Sequence, residues 1–144
     1  MNAERSAVRG DKKKRILIVD DEMDMRIFMS TLFATSGYDP VAVRDGQQGL
    51  QQARRLQPDL VLLDVMMPGE GGAHMYQTLK SDPKLCEIPV IILSAVDRDA
   101  FMHYLKMLNA RAGDGIPLPE AYIEKPPDAK EVLAVAEEIL AKAH

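Results

Sequence analysis

The chain predicts an α/β fold, a doubly wound parallel sheet with helices on both faces. Continuous apolar runs recur at Ile16-Leu17-Ile18-Val19, Leu60-Val61-Leu62-Leu63 and Pro89-Val90-Ile91-Ile92-Leu93. Runs of this length suit strands of a parallel sheet that are buried on both sides. Segments with helical apolar spacing alternate with them, the order of βαβ units. Right-handed crossovers then leave few topologies.

Taken in order, residues 15–20 read as the first strand. Met25, Phe28, Met29, Leu32 and Phe33 follow the i, i+3, i+4, i+7, i+8 spacing of an amphipathic helix, and Gly37 suits its stop. Residues 38–43 form a second strand weakened by Pro40. Residues 47–57 form a short helix with Leu50, Ala53 and Leu56 inward, ended before Pro58. Residues 60–64 are a third strand, 66–72 a glycine-containing loop, and 73–81 a third helix. Residues 89–94 are a fourth strand. Residues 99–109 are a fourth helix with Phe101, Leu105 and Leu108 inward. Residues 107–120 carry a loop signal, with two glycines and two prolines near their end. Residues 121–124 are a short fifth strand. Val132, Val135, Ala136, Ile139, Leu140 and Ala143 stripe a last helix, with Asp128 as its N-cap.

A length of 144 residues supports one domain with a real core. No apolar stretch approaches the roughly 20 residues that span a bilayer, and no secretory h-region opens the chain. Cys86 is the only cysteine, so no intrachain disulfide can form. A reducing, cytoplasmic setting is expected. The net charge of −4 is uneven: residues 1–15 carry net +4, leaving −8 on the rest. So acidic a body matches nucleic acid poorly. The expected organisation is a disordered basic leader over 1–14, a solvated tail in its simplest reading, and one domain over 15–144.

Chemistry-bearing residues gather where the runs end. Asp20-Asp21 follow the first, Asp64 the third, Ser94-Ala95 the fourth, and Glu124-Lys125-Pro126 the fifth. Ligands of open parallel sheets bind beyond the carboxyl ends of the strands. Each residue alone has an ordinary reading: solvated acids, a strand-end serine, a loop lysine. Together they are more pointed. If the first and third strands are neighbours, about 4.8 Å apart, their terminal carboxylates crowd one another. Such crowding calls for a cation or raised pKa values. Mg2+ takes oxygen ligands and fits one or two carboxylates, a carbonyl and a phosphoryl oxygen. Ser94 and Lys125 offer a hydroxyl and a point charge for phosphate oxygens, and Ala95 leaves room beside them. Tyr122 reads equally as packing on a short strand. His74, His103 and His144 show no metal-ligand spacing.

This constellation resembles the receiver domain of two-component response regulators. The resemblance rests on Asp20-Asp21, Asp64 with Met67-Pro68-Gly69, Ser94-Ala95, and Tyr122-Ile123-Glu124-Lys125-Pro126, and spans about residues 15–142. It implies a flavodoxin-like strand order 2-1-3-4-5. It implies Asp64 as phosphoacceptor, served by a sensor histidine kinase or a histidine phosphotransfer protein. Mg2+ would be held by Asp20, Asp21, Asp64 and the backbone carbonyl of Met66. Ser94, Ala95 and Lys125 would bind the phosphoryl group, Tyr122 would switch with Ser94, and the Lys125–Pro126 bond would be cis. Output from a stand-alone domain would be contact with a protein partner, onward phosphotransfer or a phosphate sink, with no nucleic acid and no membrane, and the chain would not be an enzyme beyond its own phosphorylation and slow autodephosphorylation. Two departures stand out. The 31 residues from Ser94 to Lys125 are a long interval for the family. Met66 and Val96 are apolar where family members often place polar groups, so a long-lived phosphorylated form is expected. Two other readings are a haloacid dehalogenase-type phosphatase and a phosphorylation-independent interaction module on the same fold. The first fails on its Asp-x-Asp spacing, since the positions read Asp20-Asp21-Glu22. The complete acid set argues against the second.

Overall fold

Alternation inside each apolar run decides what lies on each face of the sheet. The computed structural model describes residues 13–65, 71–112 and 115–142. The expected leader therefore lies outside them, apart from Lys13 and Lys14, as does Met66. Five strands, β1 (Arg15–Val19), β2 (Asp39–Val43), β3 (Leu60–Leu63), β4 (Val90–Ser94) and β5 (Ala121–Glu124), form one parallel sheet in the order β2-β1-β3-β4-β5. Five helices alternate with them: α1 (Met23–Thr35), α2 (Gly46–Leu56), α3 (Gly71–Ser81), α4 (Arg98–Ala112) and α5 (Ala129–Lys142).

Side chains of successive strand residues point to opposite faces. Leu17, Val19, Val61, Leu63 and Ile92 accordingly pack with Ala53 of α2, Met75 and Leu79 of α3, and Phe101 and Leu105 of α4. Ile16, Ile18, Leu60, Leu62 and Ile91 pack with Met29 and Phe33 of α1 and with Val132, Ala136 and Leu140 of α5. The double winding expected from the sequence is present, and so is the strand order the resemblance implied.

Several local expectations need correction. Phe28 stays 38% exposed and Ile27 56%. Met29 and Phe33 are the fully buried members of the α1 stripe, Met25 and Leu32 pack half-buried beside them, and Phe28 is the member that departs. Leu50 and Leu56 of α2 are half-buried, and only Ala53 of the three is fully inward. Pro40 does not weaken β2, which runs in register with β1 as an edge strand, where a missing ladder donor costs little. The loop assigned to 107–120 is helical as far as Ala112. Residues 115–120 then form a strap with side-chain anchors. Ile116 donates its N–H to Asn109 Oδ1 at 2.7 Å and accepts from Asn109 Nδ2 at 3.2 Å. The Tyr76 hydroxyl donates to the Pro117 carbonyl. Glu120 accepts from Val90 N–H at 2.7 Å and lies 3.6 Å from the buried Lys80 ammonium. Ile116 itself enters the core.

Helix α3 begins against the end of β3, and one glycine permits it. A Cβ on Gly72 would sit 2.3 Å from the Asp64 carbonyl oxygen and 2.5 Å from Val65 Cα, both backbone atoms that have little room to retreat. We expect Gly72→Ala to cost about 1–3 kcal/mol, the usual range for overpacking, measured by denaturant unfolding. Unchanged stability would mean that α3 can slide away from the Asp64 turn.

Candidate functional site

The sheet register places β1, β3, β4 and β5 side by side, so the residues that follow them come to one edge of the sheet. Val19 pairs with Leu63, and Ser94 with Glu124. The next residues of β1 and β3, Asp20 and Asp64, therefore leave the sheet together. Backbone bonds fix both: Asp64 N–H donates to the Val19 carbonyl at 2.9 Å, and Asp20 N–H to the Val43 carbonyl at 3.1 Å. On the other side, Lys125 N–H donates to the Ser94 carbonyl at 2.8 Å. The Lys125–Pro126 bond is cis, as expected.

Lys125 sends its ammonium across the strand ends. Nζ lies 2.8 Å from Asp20 Oδ2, 2.8 Å from Glu22 Oε1 and 3.1 Å from Asp64 Oδ2. Three N–H groups thus meet three carboxylates. Asp20, Asp64 and Ser94 are buried, whereas Asp21 and Ala95 are exposed. Burial pushes the Asp20 carboxyl above the ordinary range, against the pull of its bonds to Lys125 and the Glu22 N–H. The bond from Lys125 holds Glu22 below its ordinary value. For Lys125, burial opposes the charge, but hydrogen bonds to Asp20 and Glu22 and the nearby Asp64 carboxylate outweigh it and raise its pKa.

Carboxylate oxygens of Asp20, Asp21 and Asp64 all lie within 4.8 Å of one another. Three of the site's carboxylates contact one ammonium, and Asp21 adds a fourth acid to the cluster. An all-oxygen set with that excess of negative charge suits a hard divalent cation such as Mg2+. The fit is good for Asp20, Asp21 and Asp64. The fourth expected ligand, Met66, lies outside the described residues.

The Val96 peptide links Ser94 to Tyr122. Val96 N–H donates to Ser94 Oγ at 3.1 Å, and the Tyr122 hydroxyl donates to the Val96 carbonyl. Burial raises the Tyr122 pKa. The ring of Tyr122 packs 5.3 Å from that of Phe101. Tyr122 thus packs on Phe101 and is joined to Ser94 through the Val96 peptide.

Sequence reasoning missed two contributors. Glu22 sits at the N-cap of α1 but makes no side-chain cap bond there; its carboxylate goes to Lys125. Arg26, one turn on, donates from Nη1 to the Asp20 carbonyl at 2.9 Å. An acid at a helix start reads first as a complement to the helix dipole. The available signal was its place directly after Asp20-Asp21.

Comparison with known proteins agrees with this geometry. A family model described as the response regulator receiver domain matches residues 16–137. The DNA-binding response regulator MtrA of Mycobacterium tuberculosis is 33% identical over 122 residues, covering 85% of this chain and 48% of MtrA. The alkaline phosphatase synthesis transcriptional regulatory protein PhoP of Bacillus subtilis is 31% identical over 130 residues, covering 90% and 50%. The chain spans about half the length of the curated relatives it matches. Among solved structures, a putative response regulator from Chloroflexus aurantiacus superposes with a TM-score of 0.74 at 26% identity, covering 91% of this chain and 100% of that one. A CheY-like receiver domain protein from Methanospirillum hungatei gives 0.75 at 21% identity, covering 92% and 97%.

Proposed function

Because the chain belongs to the response regulator receiver family, we propose that it accepts a phosphoryl group on Asp64 from a phosphohistidine donor and signals the change to a protein partner. The observation that carries the reading is the Lys125 ammonium bridging Asp20 and Asp64 beside buried Ser94. The donor is a histidine kinase or a histidine phosphotransfer protein. An Asp64 oxygen attacks phosphorus, the new O–P bond forms as the P–N bond breaks, and the electron pair returns to the imidazole. Asp20, Asp21 and Asp64 would hold Mg2+, with the Met66 carbonyl as a further ligand. Bound there, the ion would draw off charge building on the phosphoryl oxygens.

The chain's own groups do the positioning. Lys125 offsets the charge of the phosphoryl group, and Ser94 turns its hydroxyl to a phosphoryl oxygen. Tyr122, joined to Ser94 through the Val96 peptide, resettles, which carries the event to the face formed by α4 and β5. Val96, half-buried against the core, places no polar group where an attacking water would stand, and the phosphorylated form is long-lived for that reason. The domain extends over 15–144. Among the described residues no helix is long and apolar enough to cross a membrane, and we place the protein in the cytoplasm. DNA binding is named for MtrA and is not carried over, since the body beyond the first 15 residues bears −8.

The test is incubation with acetyl phosphate and Mg2+, followed over time by intact mass. One labile phosphate, absent when Mg2+ is chelated, is the expected result, and its decay gives the lifetime. No gain in mass would favour a module that works without phosphorylation.

A further inference from the structure

The Lys125 ammonium is saturated. Each of its three N–H groups already has a carboxylate, at 2.8, 2.8 and 3.1 Å. An ammonium has no further donor, so a phosphoryl oxygen can be bound only if one carboxylate lets go. The three are not equal. Asp20 is buried, its second oxygen is held by the Glu22 N–H at 2.9 Å, and its own backbone is fixed by Arg26 and Val43. Asp64 is buried and is the acceptor itself. Glu22 is the outlier, with 60% of its side chain exposed. Water can take over a carboxylate in that position at little cost, because exposed ion pairs contribute little.

We propose that Glu22 is a positioning residue that holds Lys125 in reserve, occupying the N–H that a phosphoryl oxygen takes and yielding it on phosphorylation. The proposal rests on the functional reading above. Glu22 keeps the ammonium aimed over Asp64 while the site waits, and its departure leaves Asp20 to retain Lys125. The same carboxylate competes with the incoming anion, so its removal should strengthen anion binding while the exposed side chain leaves the fold untouched.

The experiment measures affinity for beryllofluoride, a phosphoryl mimic, at fixed Mg2+ by calorimetry on the full chain. It compares the parent with Glu22→Ala, Glu22→Gln and Asp24→Asn. Asp24 is exposed at the start of α1 and controls for the loss of one nearby charge. Lys125 ammonium resonances in 15N spectra report its bonding directly. Glu22→Ala should bind beryllofluoride about three-fold more tightly, the size set by one exposed ion pair. Glu22→Gln, which keeps an acceptor, should fall between Glu22→Ala and the parent, and Asp24→Asn should match the parent. The parent Lys125 signal should shift on beryllofluoride binding, and Glu22→Ala should remove part of that shift. Equal tightening in Asp24→Asn would reduce the effect to general charge and overturn the proposal. So would unchanged or weaker binding in Glu22→Ala. A parent that binds no beryllofluoride and gains no phosphate would instead overturn the functional reading, and this proposal with it.

Discussion

Asp64→Asn will take up no stable phosphate from acetyl phosphate or from a kinase, and it will melt no lower than the parent. The loss is expected to be complete because an amide oxygen is a poor nucleophile and every other carboxylate at the edge has another task. Asp20 is committed to Lys125 and to the Glu22 N–H, and the Glu22 carboxylate to Lys125. The fold should tolerate the change. Asn has the same shape, the backbone N–H of residue 64 still donates to Val19, and one of three crowded carboxylates disappears. Intact mass and thermal unfolding check both halves. Labelling of the variant at the parent's level would move the acceptor to another residue.

Lys125→Met should have the largest effect on stability. It removes the cation that bridges the buried Asp20 and Asp64, and stripping a partner from a buried pair usually costs 3–5 kcal/mol. We expect roughly 3 kcal/mol at neutral pH, the low end of that range, because 11% of the lysine side chain reaches water. The pH dependence follows from the carboxylates left behind. Asp20 is already raised by burial, and without the bond from Lys125 it rises further. A carboxyl whose folded pKa lies above its unfolded value weakens the fold at higher pH. That penalty fades as pH falls through the folded value and is gone below the unfolded one. The deficit of the variant should therefore shrink between neutral pH and about pH 4, near the ordinary carboxylate value. Denaturant titrations of parent and variant across that interval provide the check. A deficit that stays constant with pH would mean that packing of the lysine stem, and not its charge, supports the site.

How far such a site can be read in advance depends on what each residue must satisfy. Strands buried on both faces need apolar residues at every position, so β1, β3 and β4 stand out, and the polar residue that ends each run stands out with them. Asp20, Asp64, Ser94 and Lys125 were legible for that reason. Glu22 was not, because its partner lies 103 residues away and a helix start is an ordinary place for an acid. The length of α4 was misread because Gly113, Gly115, Pro117 and Pro119 spread their loop signal back over residues 107–112, which apart from Asn109 are good helix formers by propensity. Phe28 was misread because periodicity reports which residues share a face, and not how wide a neighbour that face meets.

The strap over 115–120 has one consequence for native-state hydrogen exchange. The amide of Ile116 is donated to a side chain, Asn109 Oδ1, and not to a sheet or helix ladder. Its neighbours are tied down by Tyr76 and Glu120 in the same fashion. Such anchors can release together while the ladders of β4 and β5 stay closed, a small cooperative opening below the global one. The exchange rate at that single amide therefore gauges how readily this lengthened segment detaches from the body of the protein, separately from the stability of the sheet beneath it.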